Sequence, residues 1–344
     1  MKIPGQPKVS FVLGVLLLLL PLSIAPVSAQ GDYFDVFPLN QWFGGAGIAV
    51  CRRTAYVTEF ACIQASRSEA MVALAVANNL DDPEKLREAA HLAEVERALA
   101  DGLCYQQRAA RLDLCTDLDE DRYDPQVDPA TFVHPIAAPN PFFPLVPGTT
   151  MIYEGETEDG SERIEVTVTD QTVEILGVTC TVVLDRAFLN GKLIEDTIDY
   201  YAQDANGDVW YFGEHSLEIE DGKVVSLAGS WIAGRDGAKP GILMKGDPQE
   251  EDVYRQEFLL TEAEDAAGVL SLTESVEVPF GEFDNCLMTE EFTPLQPDAL
   301  ENKFYAPGVG LVLEVDPDSG DRIELVDVIV EGGPVPARRK GRTR

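Results

Sequence analysis

The stretch YYAQDANGDVWYFGE, residues 200–214, sets Asp204, Asn206 and Asp208 at the alternate spacing that calcium loops use. Its reading decides the fold of everything around it. Asn206-Gly207 is a pair suited to tight hairpins, because both positions tolerate positive φ. As an EF-hand-like loop the stretch puts Gly207 at position 4 rather than 6, and His215 where a glutamate is wanted. A hairpin between two strands is therefore expected, with the acids serving the turn.

The same order of motifs occurs twice. TDQTVEILGVTC at 169–180 compares with TESVEVPFGEFDNC at 273–286, DYYA at 199–202 with KFYA at 303–306, and EDGKVV at 220–225 with DSGDRI at 318–323. Tyr153 has a counterpart in Tyr254. Where the first copy reads YYAQDANGDVWYFG the second reads FYAPGVGLVLEV, so the turn survives and the acids vanish. The expectation is an internal duplication over 149–330, with copies at about 149–228 and 250–330, each an antiparallel β unit, the two packed as one sandwich or open barrel. Cys180 and Cys286 fall at matching places and are expected to bridge the copies.

Upstream, the pattern turns helical. Ile48 to about Asn79 is rich in Ala, Val, Arg and Glu without proline. DDPEKL then supplies an aspartate N-cap and Pro83 in a first turn, where a missing N–H costs nothing. Along the second helix, to about Cys115, Leu86, Ala89, Leu92, Val95, Leu99 and Leu103 recur every three or four residues and are expected to face the first helix. Cys51 and Cys62 are spaced like Cys104 and Cys115, at an interval that returns to nearly the same helix face. Antiparallel register about the turn then pairs Cys51 with Cys115 and Cys62 with Cys104. Twin cysteine pairs in a hairpin loosely resemble the CHCH domains of mitochondria, but the spacing differs by one residue. The fold class is α+β: a stapled α-hairpin at 48–117 followed by the duplicated β domain.

DLDEDRYDPQVD at 117–128 places Asp117, Asp119, Asp121 and Asp128 at positions 1, 3, 5 and 12 of an EF-hand-like loop, a possible calcium site, with Arg122 standing where glycine belongs. The competing reading is a solvated connector. With the proline-dense run that follows, 118–148 is expected to be an acidic, Pro-rich linker.

Lys2 and Lys8, the apolar run Phe11–Ala25 and small residues at Val27 and Ala29 make 1–29 an export signal cut before Gln30, too short in its apolar part to span a bilayer. A short N-terminal segment, 30–47, would begin the mature chain. The expected location is secreted or periplasmic, where six cysteines should pair. No later membrane span is expected. The formal charge of -34 disfavours nucleic acid and anionic lipid as partners. Residues 331–344, which include ARRKGRTR, form a basic tail expected to be disordered.

FFPLVPGTTMIYEGE, YYAQDANGDVWYFGE, GSWIAGRDGAKPGI, YRQEF and FYAPGVGLVLEV, in this order, resemble a family of exported bacterial proteins of unknown function over roughly residues 140–328. The chain departs from that pattern at DPQEEDVYRQEF, where glycine is expected before the strand. The resemblance implies export and a β domain; it carries no catalytic residues.

His91, His134 and His215 form no zinc or haem spacing, and neither H-E-x-x-H nor G-x-S-x-G occurs. The function read from this is a non-catalytic binding or interaction protein of the cell envelope, with no cofactor unless calcium. Its candidate site is the long loop 229–248, where Trp231, Arg235, Lys239 and Lys245, with Trp210 nearby, would offer an aromatic platform and positive charge to an anionic or glycan ligand. Against this stands a connector whose Trp231 packs in the core. Two alternatives are a carbohydrate-active hydrolase using paired carboxylates and a carrier of an apolar ligand between the β units.

Overall fold

The computed structural model describes residues 49–119 and 122–331. The export signal, segment 30–47, Asp121 and the basic tail beyond Glu331 lie outside them. The chain divides into an α unit and a β unit between Tyr123 and Asp124.

In the α unit, helix α1 spans Val50–Ala77 and α2 spans Pro83–Asp117. Asp82 caps α2, its carboxylate accepting from the Glu84 N–H at 2.9 Å, and Pro83 occupies the first turn. Disulfides join Cys51 to Cys115 and Cys62 to Cys104, with Cα separations of 5.9 and 5.8 Å. That close approach leaves room only for small residues between the helices, and the buried stripe of α1 is Ala55, Thr58, Ser66, Ala70 and Ala77. Polar pairs complete the seam: Ser66 Oγ donates to Asp101 Oδ1 at 2.9 Å, and Arg108 to Glu59 at 2.9 Å.

The expected leucine face of α2 does not enter this seam. Leu92, Val95, Leu99 and Leu103 are exposed, Leu99 by 70%. The cysteines decide the interface, and Leu103 precedes Cys104 by one residue, a rotation of about 100° around the helix. The stripe carrying Ala93, Cys104, Arg111 and Cys115 is buried instead. By length and composition α1 is apolar enough to cross a membrane, which corrects the expectation of no later span. It runs beside a charged α2 to which both bridges fasten it.

The β unit is an antiparallel sheet. Its main strands are β1 (Thr149–Thr157), β2 (Gly160–Ile175), β3 (Val178–Leu189), β4 (Lys192–Gln203), β5 (Val209–His215), β9 (Lys239–Met244), β10 (Val253–Arg255), β11 (Glu257–Phe258), β12 (Ala266–Val278), β13 (Gly281–Thr293), β14 (Gln296–Ala306), β15 (Gly310–Val315) and β16 (Arg322–Val330). Short β6 (Glu218–Glu220), β7 (Lys223–Ser226) and β8 (Trp231–Ile232) lie off the main path. The hydrogen-bonded order is β10-β12-β13-β14-β15-β16-β1-β2-β3-β4-β5-β9-β11. Its two ends, β10 and β11, are consecutive pieces of chain flanking Gln256. Gly241 of β9 makes this possible, since a Cβ there would run into the Gln256 carbonyl.

The opening stretch is the β4–β5 hairpin. Asp204 Oδ1 accepts from the N–H groups of Asn206 and Asp208 at 2.8 and 3.0 Å, and its Oδ2 accepts from Trp210 Nε1 at 3.2 Å. Gly207 supplies φ +91°. Those bonds use both oxygens, and among the described residues no group of three His, Cys, Asp or Glu is placed to hold a metal ion.

Two further expectations are corrected. The Pro-rich run is no free linker: Val133 N–H donates to the Gln203 carbonyl at 2.9 Å, and the Asn140 amide donates to the carbonyls of Gly207 and Lys245. Its prolines give it an extended backbone whose remaining donors are met by the β4–β5 end of the sheet. Cys180 and Cys286 are buried free thiols. They sit on β3 and β13, which are six places apart in the strand order. Burial pushes the Cys180 thiol up to about 12 and Cys286 to about 11, so neither forms thiolate readily.

Alkylation of the oxidised protein without reductant should therefore label no cysteine while folded and two, Cys180 and Cys286, once unfolded. A Cys180–Cys286 peptide in non-reducing mapping would contradict the strand order. Replacing Cys62 and Cys104 by alanine should cost the hairpin about 2–4 kcal/mol, measured by chemical denaturation of its helical signal.

Candidate functional site

Alternation in a strand sends every second side chain to one face. On β4 the buried face reads Glu195, Thr197, Asp199, Tyr201, while Ile194, Ile198 and Tyr200 take the other side. Asp199 pairs across β3 with Val183 and across β5 with Glu214, and Asp185 pairs with Thr197. On β14 the matching row is Glu301, Lys303, Tyr305. Lys303 pairs with Thr289 of β13 and Glu314 of β15, and Glu301 with Glu291. Thus Asp185, Thr197, Asp199 and Glu214 hold the register positions that Glu291, Glu301, Lys303 and Glu314 hold in the second set of strands. Two exchanges change the charge: a lysine stands where the first set has Asp199, and Glu301 where it has Thr197.

The consequence is electrostatic. Lys303 Nζ lies 3.0 Å from Glu291, 3.2 Å from Glu301 and 3.8 Å from Glu314. Burial alone would lower its pKa, yet these carboxylates hold the ammonium well above the ordinary lysine value. In the first set Lys303 offsets Asp185 in part, and Asp199 and Glu214 turn to a phenol. Tyr211 Oη lies 2.6 Å from Asp199 Oδ1 and 2.9 Å from Glu214 Oε2. A phenol has one proton, so both contacts are hydrogen bonds only if one of these carboxyls is itself protonated and donates. Burial raises Asp199, Glu214 and Asp185 well above the usual carboxylate range, and neighbouring acids add to the shift in each case. Glu195 moves from 4.5 to about 7 through burial, moderated by the hydroxyls of Thr197 and Ser216. Asp185 Oδ2, Asp199 Oδ2 and both carboxylate oxygens of Glu314 are buried without a hydrogen-bond partner.

Next to these acids lies an apolar pocket. Met151 and Tyr153 of β1, Val166 of β2, Val183 of β3, Tyr305 of β14 and Leu311 of β15 line it, so both sets of strands contribute. Val166 pairs with Asp185, and Val183 is two residues from it on the same face. Tyr153 donates to the Leu311 carbonyl at 3.1 Å, and burial raises its pKa, with Asp185 and Glu314 adding to the shift.

The residues expected to bind a ligand are not brought together as a platform. Trp231 is 3% exposed and meets Tyr211 edge-on at 5.3 Å, so it is a core side chain. The loop that was to carry it contains β8 and β9, because AKPGILM pairs with β5 and β11. Lys239 pairs with Asp124 at 2.7 Å and Lys245 with Asp252 at 3.0 Å, so the expected positive cluster is offset residue by residue. Trp210 is tied to Asp204 and stacks edge-on against Phe132; Arg235 alone is exposed at its turn. Of the calcium candidates, Asp117 and Asp119 end the α unit, and Asp128 belongs to the β unit, where it caps a short 3-10 turn through the Ala130 N–H. The interior acids were missed. Their signal was the polar phase of LIEDTIDYYA, with Glu195, Thr197 and Asp199 at alternate positions.

No family model and no curated protein matches this chain. A solved structure of a "putative lipoprotein" from Parabacteroides distasonis is similar at 14% identity and a TM-score of 0.31, covering 56% of this chain and 99% of its own. A likeness of that degree carries no assignment.

The acids give a pH prediction. A carboxyl whose pKa is higher folded than unfolded makes the folded state the better proton binder, so stability is greatest below the unfolded value and falls as pH rises to the folded one. For Glu195 that window runs from about 4.5 to about 7, and the other raised acids act in the same direction. Denaturation midpoints followed by tryptophan fluorescence should fall steadily from pH 5 to pH 8. Glu214→Gln should flatten that slope.

Proposed function

We propose that this chain is an exported, non-catalytic binding protein of the bacterial envelope, which holds a small, largely apolar molecule inside a duplicated β domain. The carrying observation is an apolar cavity of about 20 Å³ lined from both sets of strands, which marks where a small apolar group could be admitted as the strands give way. Two features support the architecture. The strand order places β10 and β12–β16 ahead of β1–β5 and β9 in the same sequence of pairings, as a tandem copy would, and the residue positions match within each strand pair. The two ends of the path are neighbouring chain segments, as in a sheet closed into a barrel. Export is supported by two disulfides in the α unit, which persist in an oxidising compartment, together with the signal pattern of residues 1–29.

The carboxylates favour binding over glycoside hydrolysis. Asp185, Asp199 and Glu214 lie within the buried core and are fastened by Tyr211 or by burial, where a polysaccharide chain has no access. The apolar lining of the cavity, Met151, Val166, Val183 and Leu311 among it, suits an apolar group better than a sugar.

Protein purified from the envelope fraction of a bacterial host should begin at Gln30 and release a small molecule on denaturation, detected by mass spectrometry. Val183→Phe, which fills the pocket, should abolish that molecule with a loss of no more than about 3 kcal/mol in stability. Ligand-free protein that also binds none of a set of apolar fragments would overturn the proposal.

A further inference from the structure

The α-hairpin turns an apolar side of α1 away from its own seam. That helix is apolar enough over 18 residues to cross a membrane, yet little of the stretch is buried. Arg53, Val57, Phe60, Gln64, Arg67 and Met71 follow one another at alternating steps of four and three, and so share one face. Met71 is 64% exposed and Val57 42%. Arg53 and Met71 stand nine residues either side of Cys62, half a turn around the helix from the disulfide that fixes the seam.

Charge on this face has one sign. Of the two carboxylates in α1, Glu59 reaches across to Arg108 of α2 at 2.9 Å, and Glu69 follows Arg67 by two residues, about 200° around the helix. The face therefore fits a cover that is apolar and carries a carboxylate opposite Arg67. A second copy would set arginines against arginines, and a chain of formal charge -34 is repelled by an anionic lipid surface.

The chain just ahead of α1, outside the described residues, answers that description. YFDVFPLNQWF at 33–43 holds seven large apolar side chains, one acid, Asp35, and no cation. GGAG at 44–47 permits a reversal before Val50, since glycine accepts backbone angles closed to other residues, and Pro38 favours extended chain over helix. The lengths agree. Asp35 is eight residues before Phe43, about 26 Å of extended chain, and Arg67 is seventeen after Val50, about 26 Å of helix. We infer that residues 33–43 double back along the outer face of α1 and cover it, with Leu39 over Val57, Asp35 beside Arg67 and Phe34 over Met71.

The test is photo-crosslinking of the protein running from Gln30 to Arg344, alone and with vesicles of mixed phosphatidylcholine and phosphatidylglycerol. A benzophenone amino acid is placed singly at Val57, Met71 or, on α2, Tyr105, all of them exposed positions. Peptide mapping should join position 57 to residues 38–41 and position 71 to residues 33–36, within one molecule and with a yield independent of protein concentration, while position 105 captures neither. Arg67→Asp should lower the yield at position 71 at least threefold, and Asp35→Arg in the same chain should restore it, which a general loosening of the hairpin would not allow. Capture of a second copy, of lipid or of nothing at positions 57 and 71 would overturn the inference, and so would the reverse order of contacts. Should Arg67→Asp lose its helical signal, the order of crosslinks in the parent chain still decides.

Discussion

A buried charge must find an opposite charge, surrender its proton balance, or be paid for elsewhere, and in this β unit one ammonium carries that duty. Lys303 draws Glu291, Glu301 and Glu314 around itself. The ammonium offsets part of the cost of burying these acids, although burial and Glu301 still hold Glu314 well above the ordinary carboxylate value. The first set has Tyr201 and Glu214 at the register positions of Tyr305 and Glu314, with Asp199 at that of the lysine. Protonation and the Tyr211 phenol take the place of a cation there. The lysine at that one position thus sets much of the difference between the two groups of buried acids, and it reaches Asp185 of the first set as well.

The α-hairpin shows how much a spacing can settle and where it stops. Equal cysteine intervals on two helices joined by a capped turn specify antiparallel register, and both bridges form as that register requires. The same bridges defeat the hydrophobic argument. Amphipathic patterning assumes that apolar burial chooses the interface, but two covalent links at Cα separations below 6 Å outrank a leucine stripe. Ala55, Ala70 and Ala93 fit the gap; Leu92 and Leu99 do not.

In the β unit the turn at Asn206-Gly207 was legible, because turn chemistry is a local property. What residues face across the core was not. A pseudo-two-fold packing and a tandem arrangement have the same sequence signature, yet only the first brings Cys180 to Cys286. The acids were hidden for a different reason: in a chain of net charge -34 a glutamate is unremarkable, and the alternation of β4 could be read in either phase. Ile194 and Ile198 compete with Glu195 and Asp199 for the inward face, and only the pairing with β3 and β5 decides it. Trp231 was read as a ligand platform because its loop looked irregular, but Gly241 admits a close backbone crossing there and turns the loop into strand.

The central claim is that the interior acids of the first strand set are held protonated near neutral pH by burial and by one another. Carbon-detected NMR of the side-chain carboxyls, titrated from pH 3 to pH 9 in the ligand-free protein, tests it most directly. The account predicts that the resonances of Asp185, Asp199 and Glu214 change well above pH 5 and in a coupled manner. Interior carboxyls that titrate together with the exposed ones would contradict it.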